Sequence, residues 1–219
     1  GASLLLFAWR APKVGLGGSF GIVSRESALL ANNVLLSVAA ASVLLGTLYP
    51  LFLDALKLGK ISVGPPYFDA VFVPLMTPVI FLMAVAPFAR WKGDTVPSLA
   101  RQLRWAFGVA FVTAGLSPML MGAWSPMVML GLFLAFWLFA TSVQNLVQRA
   151  RSNASDGTIF TRLRNIPAGW WGMWIAHIGI GVTVIGITLV KGYEQNLDVK
   201  MSAGDTATIA GYTFKFTGV

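Results

Sequence analysis

Apolar runs separated by short polar stretches dominate the chain, at about Leu29 to Leu53, Ala70 to Ala89, Trp105 to Ala123, Pro126 to Val147 and Gly169 to Val190. Each is close to the ~20 helical residues needed to cross the hydrocarbon core of a bilayer. Gly1 to Ala8 is also apolar, without the basic start and small-residue cleavage site of a signal peptide, and reads as the end of a helix that begins upstream. Breakers and charges fill the gaps: Gly15, Gly17 and Gly18; Gly64, Pro65 and Pro66; Gly93, Asp94 and Pro97; Asn153 to Gly157. The pattern predicts an all-α polytopic membrane protein with five complete transmembrane helices and one partial helix over residues 1–190.

After Val190 the period changes. Glu194, Asp198, Lys200 and Asp205 appear, then Tyr212, Phe214 and Phe216 alternate with Thr213, Lys215 and Thr217. That period of two predicts a strand. With Thr206 to Ile209 before it and Ala210-Gly211 between, the expectation is a hairpin opening a small β-rich external domain over 191–219, with more sequence following.

Composition agrees with the pattern: 56% of residues are hydrophobic and 11% charged, against about 25% charged in a soluble domain. A net charge of +8 raises the question of nucleic acid, but the charge lies in the loops. Arg10, Lys13 and Arg25, then Arg90, Lys92, Arg101 and Arg104, then Arg149, Arg151, Arg162 and Arg164 make one alternate set of eleven. Lys57, Lys60, Lys191, Lys200 and Lys215 make the other set of five. Such asymmetry puts the richer set in the cytoplasm, so the basic balance is a topology signal and nucleic acid is not a partner. The absence of cysteine excludes disulfides, thiolate nucleophiles and thiolate metal ligands from this chain.

His177 is the one histidine, about eight residues or roughly 12 Å into the last span. Ionisable groups at that depth are rare and usually functional. Trp170 and Trp174 precede it at helical spacing and Gly181 follows four residues later, which would flank an imidazole with aromatic surface on one side and room on the other. A porphyrin with its iron on the neutral imidazole suits that arrangement. So does a histidine bonded to another helix, with interfacial tryptophans and packing glycines. Spacing leaves both readings open.

Ser24-Arg25-Glu26 predicts a capped helix start with Ser24 as N-cap, or an Arg25-Glu26 anchor to a headgroup or subunit; Asn32 and Asn33 follow as candidate interhelical glue. Ile61 to Phe68, stiffened by Pro65 and Pro66, is either a docking platform or a plain turn. Gly15 to Gly21 lacks the lysine of a phosphate loop.

Taken in order, Ser24-Arg25-Glu26 with Asn32-Asn33, Gly46-Thr47-Leu48-Tyr49-Pro50, Ile61-Ser62-Val63-Gly64 with Pro66-Tyr67-Phe68, Ala176-His177-Ile178-Gly179 and Asp198-Val199-Lys200-Met201 resemble the C-terminal half of the CcmF family, the haem lyase subunits of cytochrome c maturation. The resemblance runs over essentially the whole chain. It implies a bacterial inner-membrane protein with its C-terminal segment in the periplasm. It also implies a role in passing haem from a haem chaperone to the Cys-x-x-Cys-His motif of apocytochrome c, alongside thiol-handling maturation subunits. By the same resemblance His177 is an axial ligand to the iron of a membrane b-type haem, with Trp174 and Gly181 shaping its cavity. The second axial ligand and the external tryptophan-rich haem-handling segment match nothing here, so these residues alone are expected not to catalyse ligation. Two other readings remain: a transporter whose spans break at Pro74, Pro78 and Pro118, and a scaffold without cofactor.

Overall fold

The computed structural model describes residues 2–11, 18–121, 125–152 and 158–218. The loops read at Gly15, Gly17 and Asn153 to Gly157, and the predicted end of a span at Ala123, lie outside the described residues. The chain forms two compact units, Gly1–Arg104 and Trp105–Val219, with the boundary inside a helix.

The first unit contains α1 (Ala2–Arg10), α2 (Arg25–Ala55), α3 (Pro65–Val85) with a 3-10 turn (Ala86–Phe88), and the start of α4 (Val96–Met121). α2 begins four residues before its apolar run because Ser24 caps it: an extended residue whose Oγ accepts the Ser27 N–H at 3.1 Å. Glu26 places a negative charge on the positive end of the helix. The next contacts reach across the unit. The Arg25 guanidinium donates to the carbonyls of Pro87 at 2.5 Å and Ala86 at 3.3 Å and lies 5.2 Å from the centre of the Trp91 ring. The Arg25 N–H donates to the Arg90 carbonyl at 2.9 Å, and both Glu26 oxygens accept the Lys92 N–H at 2.8 and 3.0 Å. Gly21 and Val23 are bonded to Lys92 and Asp94 through their backbones, each at 2.7 Å. The capped start and the anchor are therefore both present, but the anchor holds this chain's own 86–94 loop, where the sequence suggested a headgroup or a subunit.

Within that loop the N–H groups of Thr95 and then Arg90 hold the Asp94 carboxyl below its ordinary value of 3.8. A depressed carboxyl contributes stability above the unfolded value and loses it as pH falls through the folded one, so the loop is expected to stay closed until pH drops below 3.8. Amide exchange at Thr95 against pH checks this. Arg25→Ala leaves two carbonyls without their donor, and a loss of about 2–3 kcal/mol is expected in detergent unfolding, with Arg25→Lys recovering part of it.

α2 and α3 are antiparallel, since Arg25 meets Ala86 and Pro87 while Tyr67 meets Gly46 and Ser42. A Cβ on Gly46 would sit 2.5 Å from Tyr67 Cε1, and the Tyr67 hydroxyl donates to the Ser42 carbonyl at 3.1 Å. Both helices run unbroken through their prolines, Pro50 in α2 and Pro74 and Pro78 in α3. The discontinuous spans expected of a transporter are thus absent from α2 and α3, because a single missing N–H per proline leaves the rest of the ladder intact.

The second unit contains the rest of α4, then α5 (Pro126–Ser152), α6 (Ile159–Arg164), α7 (Ala168–Tyr193) and the hairpin of β1 (Thr206–Ile209) and β2 (Tyr212–Lys215). α5 and α7 form its main seam. Ser142 meets Trp174, Phe139 meets Gly181, Gly131 meets Thr188 and Val128 meets Gly192. Partner numbers rise along one helix as they fall along the other, so the pair is antiparallel, and glycine stands at three of the four contacts, as close approach in lipid requires. Ala106, Ala110 and Ala114 are buried every fourth residue along α4. Ala114 packs with Val128 and Leu132, and Phe107 lies edge-on to Phe133 and Trp137 at 5.3 and 5.7 Å.

The hairpin forms where the sequence pattern put it, with Ile209 paired to Tyr212 and Thr206 to Lys215, but β2 ends at Lys215, short of the expected alternation through Phe216 and Thr217. Its two-residue turn has φ of 52° at Ala210 and 82° at Gly211, the left-handed pair that matches strand twist. An alanine there costs about 1–2 kcal/mol relative to glycine. Ala210→Gly is therefore expected to slow amide exchange across Thr208 and Thr213 severalfold.

Four helical segments are long and apolar enough to span a membrane: Arg25–Ala55, Pro65–Phe88, Pro126–Arg151 and Ala168–Tyr193. Only 6% of the apolar window of Arg25–Ala55 is buried in the protein, so the remainder needs lipid or another chain around it. The expected count of five complete spans and a partial one is not reached among the described residues. α4 has 26 residues, but its first turns carry Arg101, Gln102 and Arg104, and the part of α1 described is nine residues long. The chain is a multi-pass membrane protein.

Candidate functional site

His177 lies nine residues into α7, about 13 Å along the helix from Ala168. Its Nδ1 is 2.8 Å from the Met173 carbonyl one turn earlier. A carbonyl can only accept, so Nδ1 carries a proton and donates it to Met173. The ring is thereby oriented by α7 itself, as a carbonyl that accepts from the far nitrogen orients a metal-binding histidine. The residue is half-buried, and Nε2 has no hydrogen bond among the described residues. Nδ1 is thereby committed to its own helix, and Nε2 is the ring nitrogen left for another partner.

Trp174 and Gly181 lie on a different line of the helix. Seven residues apart, they point within roughly 20° of each other, with His177 some 40–60° to one side. Trp174 Nε1 donates to the Ser142 carbonyl at 2.9 Å. Gly181 is buried, and a Cβ on it would lie 2.5 Å from Phe139 Cε1, so the ring of Phe139 fills the space that the sequence reading assigned to a ligand. The two residues set how closely α5 approaches α7, and His177 sits on the flank of that seam. Toward the start of α7, Trp170 and Trp171 are edge-to-face at 5.4 Å and Trp171 and Trp174 at 5.8 Å, a row that ends three residues before the histidine.

Met173, Phe139 and Ser142 escaped the sequence reading. Thr141-Ser142 in the middle of an apolar helix was the available signal; its partner depends on the register of α5 against α7. Among the described residues no three His, Cys, Asp or Glu side chains cluster, so the donor set suits one imidazole bond and no multidentate ion site. For a planar group carrying its own metal, α7 offers one imidazole nitrogen without a hydrogen bond among the described residues, beside tryptophans packed edge-to-face.

Fold and site together define a polytopic helical membrane protein with a histidine within a span, bonded through Nδ1 to its own helix. Along its whole length the chain is 40% identical, over 218 residues, to the cytochrome c-type biogenesis protein CcmF of Pseudomonas aeruginosa, covering 33% of that protein. It is likewise 40% identical over 220 residues to the Escherichia coli CcmF and 36% identical over 220 residues to the cytochrome c-type biogenesis protein CycK of Rhizobium meliloti, covering 32% of each. No family model and no solved structure matches it. The chain belongs to the CcmF family and spans about a third of the length of the curated relatives it matches.

Proposed function

We propose that this chain is a membrane-embedded part of a cytochrome c haem lyase, holding a b-type haem through Nε2 of His177. The observation that carries the reading is the Nδ1 bond to Met173, which leaves one imidazole donor directed out of α7. The second axial ligand comes from outside these 219 residues. Trp174 and Gly181 act on the haem through the α5–α7 spacing. When bound, the haem supplies a one-electron redox centre in the bilayer. The protein receives haem from a haem chaperone and helps attach it to the Cys-x-x-Cys-His motif of apocytochrome c, working with thiol-handling subunits. The relatives named for cytochrome c-type biogenesis support this role. The purified full-length protein should show a low-spin b-type spectrum that sharpens on reduction. A haem-free, well-folded protein would overturn the reading.

α4 is proposed as the fifth crossing, in the bacterial inner membrane with the C-terminal segment in the periplasm. These 219 residues contain no cysteine, so in a protein whose remaining sequence is also free of cysteine single substitutions within them report sidedness directly. Lys60→Cys and Lys200→Cys are expected to react with an external membrane-impermeant maleimide, and Arg151→Cys to be protected. External labelling at position 151 would mean that α4 does not cross, since α5 would then run the other way.

A further inference from the structure

We propose that the arginine-bearing ends of α5 and α6 dock the phosphodiester headgroup of an anionic phospholipid. Arg149 and Arg151 occupy the last turn of α5, and Arg162 and Arg164 the last turn of α6. α6 packs against α5. Ala150 and Ile166 are eight residues beyond and before the Ser142–Trp174 contact, and both are 4% exposed. The end of α5 and the approach to α7 therefore share one level, about 12 Å along α5 from that contact. Since α5 and α7 are spans, that level is the membrane surface, and the molecules always present there are lipids.

Three features favour a phosphate over mere solvation of charge. All four cations are arginine, whose planar fork matches phosphate oxygens two at a time. The Nε of Arg162 is buried without a hydrogen-bond partner among the described residues, although its residue is only half-buried. Phe160, on the same short helix, is 73% exposed, an apolar side chain placed where acyl chains begin. Trp170 and Trp171 continue the interfacial row in the next helix. A basic cluster beside spans with an aromatic rim is the composition that anionic lipids select.

The test uses the full-length protein reconstituted with spin-labelled phosphatidylglycerol or phosphatidylcholine, measuring the motionally restricted fraction of each. The unmodified protein should prefer phosphatidylglycerol. Arg162→Gln/Arg164→Gln should reduce that preference by about fivefold for each arginine removed. Arg164→Gln alone, at an exposed side chain, provides the single-site decrement in a protein certain of the same fold by its circular dichroism. Arg162→Lys should lose more than half of the Arg162→Gln effect if the fork is what binds. Equal preference in the unmodified and double-variant proteins would overturn the proposal. So would displacement of the lipid by millimolar inorganic phosphate, which would identify a free-anion site, or by soluble polyanionic protein or nucleic acid at equal charge.

Discussion

His177→Ala, in the full-length protein at matched yield, is expected to remove the low-spin b-type spectrum and lower haem per polypeptide at least tenfold. Loss of the hydrogen-bond partner behind a metal-binding histidine costs on the order of 10–100-fold in affinity, and loss of the histidine itself costs more. Here the partner is the Met173 carbonyl, which no side-chain substitution removes, so the whole effect falls on position 177. His177→Ala should leave the fold intact, because the ring makes its hydrogen bond within its own helix and bridges to no other element. The spectrum and the melting temperature therefore separate: the first collapses and the second moves little. A variant that keeps its spectrum would remove His177 from the ligand set. A variant that loses spectrum and fold together would return the residue to a packing role.

Much of this was legible from the residues. The apolar runs marked where helices lie, because a span must satisfy every backbone group internally and leaves its composition as a trace. The hairpin's turn and register were legible, since period-two alternation runs on both sides of Ala210-Gly211, but not the early end of its second strand at Lys215. Helix starts were less so: Ser24 and Glu26 lie outside the apolar run, and α2 includes them because the cap does energetically what hydropathy cannot signal. Contacts between helices were not legible. Nothing along the sequence says that Arg25 reaches the carbonyls of Ala86 and Pro87, 61 and 62 positions away, or that Phe139 enters the space beside Gly181. Spacing put Trp174, His177 and Gly181 near one face. Which of them meets α5 and which is left beside it depends on rotation of the helix, and many rotations share the same amphipathic pattern.

That distinction decides what Gly181→Leu should do. If the glycine opened a pocket beside the imidazole, leucine would fill the pocket and expel haem while the helices stayed together. With Phe139 already against the glycine, leucine must push the ring away and separate α5 from α7. Overpacking of this kind costs about 1–3 kcal/mol. Separation also stretches the Trp174–Ser142 hydrogen bond on the same seam, worth about 1 kcal/mol. The expected result is a fall in detergent unfolding stability of about 2–4 kcal/mol with a parallel fall in haem content, both largely reversed by adding Phe139→Ala, which removes the ring that leucine displaces. Gly181→Ala should be milder than leucine because it adds a single methyl group, although a Cβ 2.5 Å from Phe139 Cε1 still makes the ring move. Recovery of stability without recovery of haem in the Gly181→Leu/Phe139→Ala pair would have a different meaning: the space at position 181 would belong to the cofactor itself, and Phe139 would be the group that gives way to it.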